Sequence, residues 1–152
     1  MRVVICPDKF AGTMDAPTAA RAIADGWAQT APDDELVLVP LADGGPGFVD
    51  VLHARLGGQL LAVTVRGPLG APVPATILLV RDDATTTAYV ESAQACGLHL
   101  VPSCDRDPEG ATSYGVGELV AAAVDEGAKR VVIGLGGSAT TDGGAGLLAA
   151  LG

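Results

Sequence analysis

The chain has 152 residues, of which 49% are hydrophobic, so it is long and apolar enough to bury a core of its own. Its 18 acidic against 9 basic residues give a net charge of −9, which argues against nucleic acid as the main partner. No signal peptide and no membrane-length apolar run are visible, and the 3 cysteines lack metal-ligand spacing; we therefore expect a cytoplasmic protein with no membrane partner.

The first part of the chain alternates strands and helices. An apolar run predicts a buried strand at residues 2–6, and Asp15 is a suitable N-cap for the helix that follows. A second strand is predicted at residues 35–40 and a second helix at residues 48–56, which Gly57 would end. Strand–helix–strand–helix order is typical of a parallel sheet with crossover helices.

The middle of the chain has a different pattern. Three strands, at residues 59–65, 72–80 and 86–91, are joined by short connections and should pair antiparallel. A helix is then predicted at residues 117–126 and a strand at residues 130–135. The fold class is therefore α/β, with a Rossmann-like parallel sheet and a second α/β subdomain that contains antiparallel strands.

The stretch GLGGSATTDGGAG at residues 134–146 lies between that last strand and an apolar helix start. Glycine density and bare N–H groups at a helix start suit the binding of an anion. The stretch has no Lys and so is not a P-loop, whereas Gly134, Gly136 and Ala139 fit the dinucleotide pattern G-x-G-x-x-A. That match is weak because the helix does not begin there, and a ligand-free turn remains an alternative.

Two segments of the chain are similar to each other. DGGPGFVDVL at residues 43–52 and DGGAGLLAAL at residues 142–151 each follow a predicted strand and precede a helix. If these strands share one sheet with residues 2–6, all three carry polar groups to the same carboxyl edge, where α/β sheets bind ligands. The residues expected there are Asp8, Lys9, Asp43, Asp142, Ser138 and Thr140, with the backbone of Gly44, Gly45, Gly136 and Gly137.

Carboxylates, one lysine and anion-binding N–H groups suit phosphoryl transfer, which depends on positioning, Mg²⁺ and charge neutralisation. Each aspartate could instead be a turn or cap residue. Asp142 could be an N-cap, a general base or a magnesium ligand, and Asn should replace it without loss of stability if it only caps. Glu91 is a weaker candidate, and His53 and His99 are expected to be structural.

Six motifs occur in an order that resembles the bacterial glycerate kinase family, the class related to glycerate 2-kinase. They are PDKFAGT (7–13), VPLADGGPG (39–47), GPLG (67–70), VESAQACGL (90–98), ATSYGVGEL (111–119) and IGLGGSATTDGGAG (133–146). The resemblance implies phosphorylation of D-glycerate to phosphoglycerate with ATP and Mg²⁺. Together with the charged residues expected at the strand ends, it predicts Asp8, Lys9, Asp43 and Asp142 as catalytic residues, with magnesium held through Asp43 or Asp142.

The chain departs from the family pattern in a few places. The family often reads PDSFKGS where this chain has Lys9 and Ala11, and Pro46 and Phe48 replace an acid and a hydroxyl. Family members are also more than twice as long. We therefore expect an N-terminal portion, inactive alone, with incomplete domains at residues 1–66 and 67–152. The alternative functions are a nucleotide-dependent oxidoreductase and a non-catalytic binding fragment.

Overall fold

The computed structural model describes residues 1–152, and the chain forms two compact units, Met1–Asp43 and Gly44–Gly152. The first unit contains strand β1 (Arg2–Ile5), helix α1 (Ala16–Thr30) and strand β2 (Glu35–Leu38). β1 and β2 pair in parallel, as the sequence predicts, although both strands end earlier than expected. The Asp15 carboxylate accepts a hydrogen bond from Thr18 N at 2.7 Å, which confirms it as the N-cap of α1.

Helix α1 covers one face of the β1–β2 sheet. Ile5 packs there with Ala20 and Ala24, and this small core also contacts Val3 and Leu36. Val4 and Leu38 are exposed apolar strand residues.

The second unit is built on a four-stranded mixed sheet of order β3-β4-β5-β6. Its elements are α2 (Phe48–Leu56), β3 (Gln59–Arg66), β4 (Pro72–Arg81), β5 (Thr86–Glu91), α3 (Ala93–Cys96), α4 (Tyr114–Asp125), β6 (Arg130–Gly134) and α5 (Ala145–Leu151). Two short 3-10 turns, Leu98–Leu100 and Ser103–Asp105, lie between α3 and α4. The predicted antiparallel pairing of β3 with β4 and of β4 with β5 is confirmed.

Strand β6 pairs in parallel with β5, with Glu91 opposite Gly134. The expectation that β6 shares one sheet with β1 and β2 is therefore wrong, and so is a single carboxyl edge for Asp8, Asp43 and Asp142. Helix α4 explains the pairing, because it is the crossover that parallel neighbours need. The domain division expected at residues 66 and 67 stays a prediction, although β3 and β4 form a hairpin across that position.

Helices cover both faces of this sheet. On one face α4 buries Val116, Leu119 and Ala123 against Ile77 and Leu79 of β4. On the opposite face Leu78 is fully buried where α2 contacts β4 and β5. None of the helices has the length and apolar character needed to cross a membrane.

Helix α4 begins at Tyr114, three residues earlier than the sequence predicts. Gly115, which lies outside the predicted helix, and Gly117 are both helical residues at tight contacts. A Cβ on Gly115 would overlap the Arg66 carbonyl oxygen, and a Cβ on Gly117 would lie 2.6 Å from the Ala150 Cβ of α5. These glycines therefore allow α4 to approach β3 and α5 closely.

The first half of β4 has no β5 partner, because their pairing begins at Ile77. Pro72 and Pro74 have no N–H to offer on this edge, and the Gln94 side-chain oxygen accepts from Thr76 N at 2.6 Å. The open edge therefore lacks donors for another strand.

Candidate active site

A cluster of three charged residues lies in the first unit. The Lys9 ammonium donates a hydrogen bond to Asp43 Oδ1 at 2.8 Å and lies 3.6 Å from Asp8 Oδ2. Asp8 Oδ1 also accepts from the backbone N–H of Lys9 at 2.6 Å. The structure therefore brings together three of the four predicted catalytic residues, and it does so just after β1.

The two carboxylates of this cluster stabilise the charged form of Lys9. The hydrogen bond to Asp43 and the negative charges of Asp43 and Asp8 raise the pKa of Lys9, although partial burial opposes this. Lys9 is therefore a positive charge held beside two carboxylates. The Asp43 side chain keeps 63% of its surface exposed. Such a group can bind phosphate oxygens through the ammonium and a cation or a hydroxyl proton through the carboxylates.

The glycine-rich stretch at residues 134–146 lies in the second unit and is bonded to two other segments. Gly137 O accepts from Leu98 N at 2.7 Å and Ala139 N donates to Cys96 O at 2.8 Å, so that Ser138 forms a bridge with Gly97. The Thr140 hydroxyl donates to Ala111 O at 2.7 Å. Thr140 thus has an internal role, whereas Ser138 is exposed.

Two glycines of this stretch, Gly134 and Gly136, lie against the backbone of Gly44 and Gly45. A Cβ on Gly134 would lie 2.6 Å from Gly44 O, and a Cβ on Gly136 would lie 2.7 Å from Gly45 Cα. Gly44 in turn has a φ of 92° and would place a Cβ 3.0 Å from Leu135 N. Close contact between two loops is therefore enough to require glycine at these positions, before any ligand is considered.

Asp142 is the most highly hydrogen-bonded of the predicted site residues. Its Oδ2 accepts from Ser113 N and Ser113 Oγ, both at 2.8 Å, and from Gly146 N at 3.1 Å. Its Oδ1 accepts from Gly144 N at 3.0 Å. Partial burial disfavours the charged form, but these bonds outweigh it and lower the pKa of Asp142. Both oxygens therefore hold the segments before α4 and α5.

The two similar DGG segments differ in structure. The N-cap of α5 is Gly144 and not Asp142, although the Asp142 oxygens accept from Gly144 N and Gly146 N at the start of this helix. The N-cap of α2 is Gly47, which comes later in its own segment. The same Asp-Gly-Gly triplet thus precedes its helix by different distances, because long-range partners decide where each helix begins.

Glu91 has a larger role than the sequence predicts. It ends β5, is only 4% exposed, and accepts with Oε2 from Gly47 N at 3.0 Å and Val49 N at 3.3 Å. Loss of solvation raises its pKa, partly offset by these hydrogen bonds. Two features of the sequence could have indicated this role. Glu91 is an acid at the end of an apolar strand, and the N-cap residue of α2, Gly47, has no side chain to accept hydrogen bonds.

Carboxylates therefore already contact the N-termini of α2 and α5. The N–H groups at the start of α5 are therefore not the bare donors that the sequence predicts, because Asp142 accepts from Gly146 N. His53 lies in the last turn of α2 and His99 in a 3-10 turn. Neither belongs to a group of three or more His, Cys, Asp or Glu that could hold a metal ion.

The family is decided by comparison with known proteins. A model of the glycerate kinase family matches residues 3–152. The chain belongs to the glycerate kinase family. An uncharacterized protein of Mycobacterium tuberculosis is 49% identical over 154 residues, covering 100% of this chain and 40% of that protein. Glycerate 2-kinase of Escherichia coli is 45% identical over 152 residues, covering 100% of this chain and 39% of that enzyme.

A solved structure from Salmonella typhimurium LT2, assigned as a glycerate kinase 2, has a TM-score of 0.78 and 44% sequence identity. It is matched over 100% of this chain and 40% of its own. The resemblance to the glycerate kinase family and the α/β fold class are thereby confirmed. This glycerate kinase family chain spans about 40% of the length of the curated relatives it matches.

Proposed function

We propose that the full-length protein carrying this sequence transfers the γ-phosphoryl group of ATP to a hydroxyl of D-glycerate, which gives phosphoglycerate and ADP. The observation that carries the proposal is the family match over residues 3–152, which includes relatives named glycerate kinase at 45% identity. A cytoplasmic location, predicted from the sequence, fits this assignment as part of the proposal.

The charged cluster supports a mechanism of positioning and charge neutralisation. The Lys9 ammonium would bind the oxygens of the transferring phosphoryl group, where negative charge is greatest. Asp8 or Asp43 would accept the proton of the glycerate hydroxyl as its oxygen bonds to phosphorus and the bond to ADP breaks. The other carboxylate would keep Lys9 oriented.

Asp8 and Asp43 also fit the requirements of magnesium. Mg²⁺ is usually held in phosphoryl-transfer sites by one or two carboxylates together with substrate phosphates. Asp142 fits less well, because four N–H and O–H donors already use its oxygens. When bound, the ion would neutralise phosphate charge.

In the glycine-rich stretch, Gly137 and Ser138 are the proposed phosphate-binding positions with the best access. Both are exposed, and Gly137 has a φ of 65° that a side chain would strain. Gly44, Gly45 and Gly136 would contribute backbone to the same function, and Thr140 would shape the loop through its bond to Ala111.

The test is ADP release measured with D-glycerate and a panel of other small hydroxy acids. Lys9→Met should lower kcat/KM for D-glycerate by about 10²-fold, the scale for loss of a charge-stabilising group. Lys129→Met is the matched control, since Lys9 and Lys129 are the two lysines of the chain, and it should leave the rate within about twofold. Equal or faster turnover of an unrelated substrate class would contradict the assignment.

The alternative of a nucleotide-dependent oxidoreductase gains no support. Gly134 and Gly136 of its motif lie against residues 44 and 45, and the next helix begins at Ala145 rather than at Ala139. A non-catalytic binding fragment remains the other alternative. Nucleotide binding without turnover in the full-length protein would favour it.

A further inference from the structure

Helix α2 begins without a capping side chain of its own. Its N-cap is Gly47, in the left-handed conformation at φ 94°, and no local side chain bonds to the first turn. The first N–H groups of a helix need acceptors from elsewhere, especially where they are buried. In this unit the acceptor is Glu91, which lies 42 residues beyond Val49 in the chain.

The Glu91 carboxylate is in a position to control residues 44–47. Glu91 lies opposite Gly134 in the β5–β6 pair. Gly134 lies so close to Gly44 O that a Cβ on it would be 2.6 Å from that oxygen. The ends of these two neighbouring strands thus contact the loop at two points. Gly134 contacts it at Gly44, and Glu91 bonds to it at Gly47.

A third residue lies beside the carboxylate. A favourable interaction with the Gln94 side chain lowers the pKa of Glu91, and the Gln94 side-chain oxygen accepts from Thr76 N at 2.6 Å. The charged neighbour of Glu91 is Asp50, in the first turn of α2, which repels its negative charge. The two hydrogen bonds that orient the Glu91 carboxylate therefore come from the start of α2.

We propose that Glu91 is a positioning residue of the glycerate kinase reaction, which holds Gly44 and Gly45 in place by bonding to the start of α2. This inference rests on the proposed function, in which those two glycines bind the substrate or its phosphate. Glu91 acts through its acceptor oxygen and need not be charged, because both N–H groups donate to the same atom, Oε2.

Two substitutions separate this role from a catalytic one. Glu91→Gln keeps an oxygen that can accept from both N–H groups, so kcat and KM should stay within about threefold of the parent values. Glu91→Leu has similar size but no acceptor, and should lower kcat/KM for D-glycerate at least about tenfold. A base or magnesium ligand would lose activity equally in both variants, and that result would overturn the proposal.

A second measurement does not depend on activity. Amide hydrogen exchange at Gly47 and Val49 should be at least about tenfold faster in Glu91→Leu than in the parent, and unchanged in Glu91→Gln. The melting temperatures of both variants should equal that of the parent. Glu109→Leu, at an exposed glutamate, is the control for the substitution itself. Unchanged exchange in Glu91→Leu would overturn the positioning role. Absence of glycerate turnover in the parent would instead overturn the proposed function, and the exchange rates would still decide the role of Glu91.

Discussion

At the scale of single residues, the hydrogen bonds of Asp142 lead to a stability prediction. An asparagine could keep its oxygen at the Oδ2 position, facing Ser113 and Gly146, but its amide group would then face Gly144 N, a donor. We expect Asp142→Asn to lower the free energy of unfolding by about 1 kcal/mol, the net contribution of one part-buried hydrogen bond. Chemical unfolding measures this, with the exposed Asp83→Asn as control. Equal stability of both variants would make Asp142 a candidate base again.

Glu91 leads to a prediction about pH. Its pKa in the folded protein lies above the ordinary value of 4.5, so the folded state binds the proton more tightly than the unfolded state. The contribution of Glu91 to the free energy of unfolding should therefore fall as pH rises through the interval between the two pKa values. Urea unfolding of the parent and of Glu91→Gln from about pH 4 to pH 8 should show the parent losing stability relative to the variant. A parent that gains stability relative to Glu91→Gln over this interval would contradict the direction of the shift.

At the scale of elements, two helical glycines make a matched pair. Gly26 lies in α1 with no atom within 4 Å of the position that a Cβ would take, whereas a Cβ on Gly117 of α4 would overlap α5. Gly26→Ala should stabilise the protein by about 0.5–1 kcal/mol, because alanine is the better helix former. Gly117→Ala should destabilise it by about 1–3 kcal/mol, the range for overpacking. Thermal unfolding compares the two, and a shared sign would show that helix propensity alone decides the outcome.

Elements also show which features the sequence could predict. Helix α2 and the β3–β4 hairpin depend on neighbouring residues, such as Gly57 and a short turn, and were predicted correctly. The partner of β6 and the start of α4 depend on contacts between distant residues, and both were wrong. Among site residues, Asp8 and Lys9 are adjacent in sequence, whereas Glu91 caps a helix that lies more than 30 residues before it, which no local pattern contains.

At the scale of the whole molecule, the two units differ in the size of their cores. The core of the first unit is the small cluster of Ile5, Ala20 and Ala24. The core of the second unit is much larger and includes Ile77 of β4 and Leu119 of α4. Local stability follows buried apolar contact. We expect strand amides of β1 to exchange at least about tenfold faster than those of β5, measured by native-state hydrogen exchange. Equal protection of both strands would mean that the units open as one.

The contact between Gly44, Gly134 and Gly136 has a consequence at the level of codons. Every missense change of a glycine codon adds at least one side-chain carbon, and each of these three positions faces backbone atoms, which cannot rotate away as a side chain can. No conservative replacement therefore exists at any of them. In a saturation mutagenesis library, these three positions should tolerate only synonymous changes, whereas the exposed interior glycine of α1 should accept several amino acids.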